Sequence, residues 1–180
     1  VTIEVIPHIA ENIDEVVIRP QSHKISHQVK HGRIIFTMEQ PLNITLEVNG
    51  VHNALHLFAN PPVENKPDPN DPDVLYFGPG THDIGKIDLK GKNYVYIAGG
   101  ALVYGAFEAR EVDNLTIRGR GILDGSRIKR RDSTFAEKPN VPFGTMALYG
   151  CHNTHIEGII FRDANVYVLT PVACKNLSIN

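Results

Sequence analysis

Two aspartates, Asp124 and Asp163, follow similar apolar segments and could act as a pair. Paired carboxylates about 5–9.5 Å apart hydrolyse glycosidic bonds, one as the acid and the other as the base or nucleophile. The competing interpretation gives Asp124 a structural role. Aspartate carboxylates often accept a hydrogen bond within a turn, and Asp124 directly precedes the turn expected at Gly125. The two aspartates are 39 positions apart, and the chain between them could include an extra coil, which would place the pair about 9.6 Å apart.

Basic residues are concentrated around Asp124 in the sequence. They are Arg118, Arg120, Arg127, Lys129, Arg130 and Arg131. Arginine guanidinium groups bind carboxylates through paired hydrogen bonds, so these basic residues could bind an acidic sugar polymer. With a neutral glucan as the substrate they would have no such role. A solvated loop and strand face is the alternative. We take Arg127, Lys129 and Asp163 as the candidate substrate-binding residues.

Metal and cofactor chemistry is not indicated by the sequence. His23, His27 and His31 recur at every fourth residue, but the surrounding β-branched residues favour strands, where a four-residue step spans about 13 Å. Three ligands cannot meet around one ion at that spacing. We therefore predict no metal site and no cofactor.

Composition limits the class of protein. The chain has 180 residues, 42% of them hydrophobic, and a formal net charge of −2. These values fit a folded core and give no general reason to expect a nucleic-acid partner. No apolar run approaches the roughly 18 residues of a membrane span. With 15 Gly and 12 Pro, the composition favours strands and turns over helices.

The first part of the chain shows short alternating segments typical of antiparallel strands. Ile44, Leu46 and Val48 alternate with polar residues before an Asn-Gly turn. We predict a β-sandwich over residues 1–60. Residues 61–73 contain five prolines, which cannot lie in a central strand. They predict a stiff, polar connector.

From residue 74 onwards the sequence contains a repeat. Ile97 aligns with Ile117 and Leu102 with Ile122 at an offset of 20 residues, Ile117 with Ile156 at 39, and Ile156 with Ile179 at 23. Units of this length with glycine corners are typical of a parallel β-helix, in which each coil lies about 4.8 Å from the last. We predict the start of a right-handed parallel β-helix over residues 74–180.

Two sets of residues should stack in such a solenoid. Asn114, Asn153 and Asn176 each precede a repeat strand, and stacked amides can hydrogen bond from coil to coil. Cys151 and Cys174 are 23 residues apart and should also stack. Two buried thiols and a disulfide are both compatible with that placement.

The segments 76–85, 93–107 and 115–126 resemble the entrance to the β-helix of polygalacturonase-like glycoside hydrolases. The signature G-x-G-x-[IL]-D-G is present from Gly119 to Gly125. The preceding residues 47–62 are more similar to the layout of the related dextranase and isopullulanase family. Members of these families carry catalytic aspartates in N-x-D and D-D motifs followed by G-H-G and R-I-K, and the first three motifs are absent here. In those families the R-I-K motif follows the G-H-G motif, whereas Arg127-Ile128-Lys129 comes directly after Asp124-Gly125. We therefore interpret this tripeptide as a coincidental match.

The resemblance implies a secreted or periplasmic polysaccharide-degrading glycoside hydrolase with a polysaccharide as its partner. The chain ends at Asn180 within a repeat strand, so we expect it to be the N-terminal part of a longer enzyme with its catalytic residues beyond Asn180. Two alternatives remain: a non-catalytic, carbohydrate-binding or adhesive β-helix, and a polysaccharide lyase, which would need an Arg or Lys base and usually calcium.

Overall fold

The computed structural model describes residues 1–8, 12–129 and 144–180. In these ranges the regular secondary structure is almost all β-strand, and its helices are two single 3-10 turns, Gln21–His23 and Val51–Asn53. The chain divides into two compact units, Val1–Pro62 and Val63–Asn180. No described helix is long and apolar enough to cross a membrane.

The first unit contains two antiparallel sheets of three strands. Its strands are β1 (Thr2–Val5), β2 (Val16–Arg19), β3 (His27–Lys30), β4 (Arg33–Thr37), β5 (Asn43–Val48) and β6 (Leu55–Phe58). Sheet A has the order β1-β4-β3, and sheet B has the order β2-β5-β6. Strand β5 forms because Ile44, Leu46 and Val48 alternate along it, and these side chains join one apolar cluster with Ile34 and Phe36 of sheet A. The β-sandwich remains a prediction for this unit.

The second unit is built from stacked parallel strands. They are β7 (Val74–Phe77), β8 (Gly80–Asp88), β9 (Tyr94–Ile97), β10 (Ala101–Arg110), β11 (Thr116–Gly119), β12 (Ile122–Asp124), β13 (Met146–Tyr149), β14 (His152–Glu157), β15 (Ile160–Arg162), β16 (Leu169–Val172) and β17 (Lys175–Ile179). Sheet C has the order β7-β9-β11-β14-β17, and sheet D joins β15-β12-β10-β13-β16 with β8 paired to β10. The strands wind as about four turns of a parallel β-solenoid.

Most of the predicted register is confirmed, with one correction. Leu102 pairs with Ile122, and Ile156 pairs with both Ile117 and Ile179. The alignment of Ile97 with Ile117 is wrong, because Ile117 pairs with Val95. The corner between β9 and β10 is two residues longer than that between β11 and β12. A two-residue shift keeps the same side chains facing inward, so the alternation alone did not reveal it.

Sheet D folds into two faces at a glycine corner. We call D1 the face formed by residues 80–83, 102–104, β12 and β15, and D2 the face formed by residues 85–88, 107–110, β13 and β16. The bend falls at Gly105, whose φ is +144°. A Cβ at this position would lie 2.3 Å from the Gly85 carbonyl oxygen, so only glycine fits. In the third coil, the D1 strand ends at Asp124 and the D2 strand begins at Met146.

Inward-facing side chains of sheets C and D form the core of this unit. Val103 and Leu123 are paired on D1, and Ile117 and Ile156 are paired on sheet C. All four are almost completely buried. Each coil therefore places an apolar side chain directly on that of the preceding coil, and this burial stabilises the stack.

Asparagines stack along one corner of the solenoid. Asn153 Nδ2 donates to Asn114 Oδ1 at 3.3 Å, and Asn176 Nδ2 donates to Asn153 Oδ1 at 2.9 Å. Their φ angles are +56°, +54° and +55° in chain order. Asparagine tolerates this left-handed conformation better than most residues, so it provides both the bend and the amide row.

The two cysteines occupy neighbouring coils. The amide of Lys175 donates to the Cys151 carbonyl at 3.1 Å, which brings Cys174 onto Cys151. Both thiols are free, Cys151 is buried, and Cys174 is half-buried. Cys151 Sγ lies 3.6 Å from the Ala109 carbonyl oxygen, and Cys174 Sγ lies 3.6 Å from that of Leu148. The structure thus has two thiols at this position.

Candidate functional site

A row of polar side chains crosses the outer side of face D1. Tyr104 pairs with Asp83 of the preceding coil and with Asp124 of the next, and Asp124 pairs with Arg162. Each residue lies at the end of its D1 segment, just before the corner. Because Val103 and Leu123 are buried in the core, their chain neighbours project to the opposite side. We call Asp83, Tyr104, Asp124 and Arg162 the polar row.

Asp124 is the most enclosed member of the polar row, with its side chain fully buried. Its carboxylate pairs with the Arg162 guanidinium and accepts a hydrogen bond of 2.8 Å from the Ser126 amide. Burial by itself raises the pKa of Asp124, but the hydrogen bonds from Ser126 and the Arg162 interaction outweigh it, and the pKa lies below its usual value. Asp124 is therefore held as a carboxylate and is a poor proton donor near neutral pH.

Arg127 connects the first two members of the polar row, Asp83 and Tyr104. Its guanidinium carbon lies 3.6 Å from the centre of the Tyr104 ring. Its Nη1 donates to Asp83 Oδ2 at 2.5 Å. The Asp83 hydrogen bond raises the pKa of Arg127, and the Tyr104 hydroxyl interacts with both Arg127 and Arg162. The Tyr104 ring is thus held against the Arg127 guanidinium by a cation–π contact.

The predicted pairing of Asp163 with Asp124 is wrong. Asp124 pairs with Arg162, because the offset between the coils falls from 39 residues at Arg118 to 38 on face D1. No extra coil lies between them, since β12 and β15 are direct neighbours. Asp163 occupies the corner with a φ of +46°. Its side chain is 70% exposed and lies 4.0 Å from Arg162 Nε.

Of the predicted basic cluster around Asp124, Arg127 lies beside the polar row, whereas Arg118 and Arg120 lie elsewhere. Arg118 donates to the Glu64 carbonyl at 3.0 Å, and Arg120 donates to the Gly119 carbonyl at 2.9 Å, both beside sheet C. The Lys129 carbonyl accepts a hydrogen bond from Asn165 at 3.4 Å. Arg130 and Arg131 lie outside the described residues. The cation that serves Asp124 is Arg162, which the sequence reasoning missed because the alignment was one residue out of register.

Charges on face D1 are balanced. Arg127 is paired with Asp83 and Arg162 with Asp124. The side chains of Arg127, Asp83 and Arg162 are 50%, 58% and 45% exposed, so their remaining hydrogen-bonding groups face solvent. The network can donate to and accept from hydroxyl groups without attracting anions strongly.

An apolar row lies beside the polar row on face D1. Leu102, Ile122 and Ile160 are paired across three coils, and all three are half-buried. Over these three coils, face D1 therefore offers a strip of apolar surface next to a strip of hydrogen-bonding groups, with one residue of each kind per coil. Sugar rings have apolar faces and polar edges, and the repeat of about 4.8 Å between coils is similar to the length of one sugar unit.

Two aspartates of the connector, Asp68 and Asp71, have a local structural role. Asp68 accepts a hydrogen bond of 2.9 Å from the Asn70 amide, and Asp71 accepts one of 2.9 Å from the Asp73 amide. Both are turns in which the side chain replaces a backbone acceptor. Within residues 1–8, 12–129 and 144–180, no group of three or more His, Cys, Asp or Glu side chains could hold a metal ion.

Comparison with known proteins adds no family to these observations. No protein-family model matches the chain, and no curated protein matches it significantly.

Proposed function

We propose that face D1 binds a polysaccharide and that the chain is the N-terminal part of a secreted or periplasmic glycoside hydrolase. In this proposal the solenoid is a right-handed parallel β-helix of the polygalacturonase-like clan. The parallel β-solenoid and the Gly119–Gly125 signature support it. The polymer lies across the coils, with its sugar rings against Leu102 and Ile122 and its hydroxyls on the polar row.

The observation that carries the proposal is the regular spacing of Asp83, Tyr104, Asp124 and Arg162, one per coil along face D1. Asp124 is buried and holds Arg162 in place, and the other three side chains are accessible to a ligand. A ligand with a repeating chemical unit makes equivalent contacts on such a surface. An isolated small molecule would use one coil and leave the others without a role.

The catalytic carboxylates are placed elsewhere in this proposal. Asp83, Asp124 and Asp163 each lie within 4.0 Å of an arginine, and Asp124 is held ionised. A general acid needs a pKa near the working pH, and Ser126 together with Arg162 keeps the pKa of Asp124 below its usual value. The described part of face D1 therefore contributes binding, and the proton-transfer groups are expected beyond Asn180.

Two measurements test this function. Reducing-sugar release from pectin and dextran panels should be absent for the 180-residue chain, and rapid turnover by it would contradict the placement of the catalytic groups. Affinity electrophoresis on the same polymers should show retardation that Arg127→Ala weakens and Arg110→Ala does not. Arg110 is a matched control, since it also stacks on a tyrosine, Tyr149, at 4.2 Å but belongs to face D2.

A non-catalytic polysaccharide-binding β-helix is the second candidate function. The pairing of each carboxylate near face D1 with arginine favours it, because this network suits recognition better than proton transfer. Retardation on a polymer, combined with no cleavage by the natural full-length protein, would favour this candidate over the hydrolase.

A further inference from the structure

A groove crosses the outer side of sheet B in the first unit. Thr45 of β5 pairs with Arg19 of β2 on one side and with His56 of β6 on the other. Their neighbours Ile18, Ile44 and Leu46 are buried, so this cross-strand row projects away from the apolar cluster. The groove has a volume of about 490 Å³. Its lining includes Arg19, Gln21, Asn43, Thr45, His56 and Phe58.

Two contacts hold polar groups of the groove in place. Arg19 Nε donates to Glu47 Oε1 at 2.8 Å, and the Glu47 side chain is only 9% exposed, whereas that of Arg19 is 49% exposed. The Thr45 hydroxyl lies 3.1 Å from His56 Nδ1. The Arg19 Nη groups and His56 Nε2 are the polar atoms of these side chains that the contacts leave for a ligand. Positioning before binding lowers the entropy lost when a ligand binds.

An exposed aromatic ring lies in the same groove. Phe58 is 52% exposed and pairs with Asn43 across β5 and β6. An aromatic face next to an amide combines an apolar platform with a group that both donates and accepts hydrogen bonds. The cyclic faces and hydroxyl edges of a sugar match this combination.

From these contacts we propose that the sheet B groove binds a neutral saccharide of one to a few rings. The pyranose face packs on Phe58, and the hydroxyls bond to Asn43, His56 and Arg19. The ligand class is neutral because Glu47 already balances the Arg19 charge. An anionic sugar would have to compete with this buried carboxylate. The inference concerns the first unit alone and does not depend on the function proposed for face D1.

Titration calorimetry and proton NMR on the full chain test this site with a panel of disaccharides: maltose, isomaltose, cellobiose, galactobiose and mannobiose. At least one should bind saturably and perturb the His56 ring protons. Phe58→Ala should weaken that binding by about threefold to tenfold. Val29→Ala, at an exposed position of sheet A, should leave it unchanged. Thermal melting of each variant checks that folding is preserved.

Digalacturonate is the charged probe of the same size. It should bind more weakly than the best neutral disaccharide, and tighter binding would overturn the neutral class. The site itself would be overturned if no disaccharide bound saturably, or if Phe58→Ala and His56→Ala both left the affinity unchanged. Arg127→Ala should not alter disaccharide binding at sheet B, so this test and the test of face D1 can fail independently.

Discussion

Asp124 and Arg162 are partners on adjacent coils of face D1, the carboxylate fully buried and the guanidinium half-exposed. The ion pair joins two turns of the solenoid where strands β12 and β15 end. A carboxylate in this setting needs its cation and its Ser126 amide, since burial without partners would disfavour the charged form.

The first prediction concerns the stability that Asp124 contributes. Asp124→Asn should lower the free energy of unfolding by about 1.5–3 kcal/mol at pH 7, because it removes the charge that pairs with Arg162. The folded-state pKa of Asp124 lies below its unfolded value, so the contribution is complete above about pH 4. It is lost as the pH falls through the folded pKa.

Urea denaturation of both proteins from pH 7 to pH 2.5 measures this effect. The difference between wild type and Asp124→Asn should shrink below about pH 4. Asp83→Asn is the control, since Asp83 is 58% exposed and should change stability little. A difference that stayed constant across the pH range would contradict the role given to the Asp124 charge.

The second prediction concerns the glycine corner. Gly105→Ala should destabilise the second unit by about 2–4 kcal/mol, because the new Cβ would meet the Gly85 carbonyl at an unfavourable φ. Gly91→Ala is the matched control, with a φ of +77° and nothing within 4 Å of the added carbon. Thermal melts that shifted equally for both variants would show that backbone strain alone, without the close approach of coils, sets the cost.

The third prediction concerns the asparagine row. Asn153→Gly keeps the left-handed conformation accessible and removes the amide bonds to Asn114 and Asn176, so it should cost about 1 kcal/mol. Asn153→Ala should cost about 1 kcal/mol more because alanine disfavours a positive φ. Asn176→Gly, which removes a single bond of the row, should cost less than Asn153→Gly. Chemical denaturation measures the free energy of unfolding of each variant. A larger loss for Asn176→Gly than for Asn153→Gly would exclude a hydrogen-bonded row.

The fourth prediction concerns the thiols. Cys151 and Cys174 are both free. Protein purified without reductant and then denatured in iodoacetamide should therefore take up two alkyl groups, which mass spectrometry can count. In the folded state Cys174 should react first, since Cys151 is buried. Failure to alkylate either residue without prior reduction would indicate a disulfide.

Local patterns predicted much of the second unit. Apolar residues at offsets of 20, 39 and 23 placed Leu102 on Ile122, Ile117 on Ile156 and Ile156 on Ile179. This worked because inward positions of a solenoid must be apolar in every coil, so the repeat is written into the sequence. Strand β1 of the first unit was not predicted, whereas β3 lies in the segment around His27 where β-branched residues favoured strand.

The amino-acid sequence by itself determined the all-β class, the parallel stacking and the residues available at each corner, because periodicity and glycine placement are local properties. Only the tertiary structure decided which corner residues meet. Corner lengths differ between coils, and a shift of a single residue replaced Asp163 with Arg162 as the partner of Asp124. The charge of face D1 follows from that register, because pairing across coils depends on distances that no local pattern records.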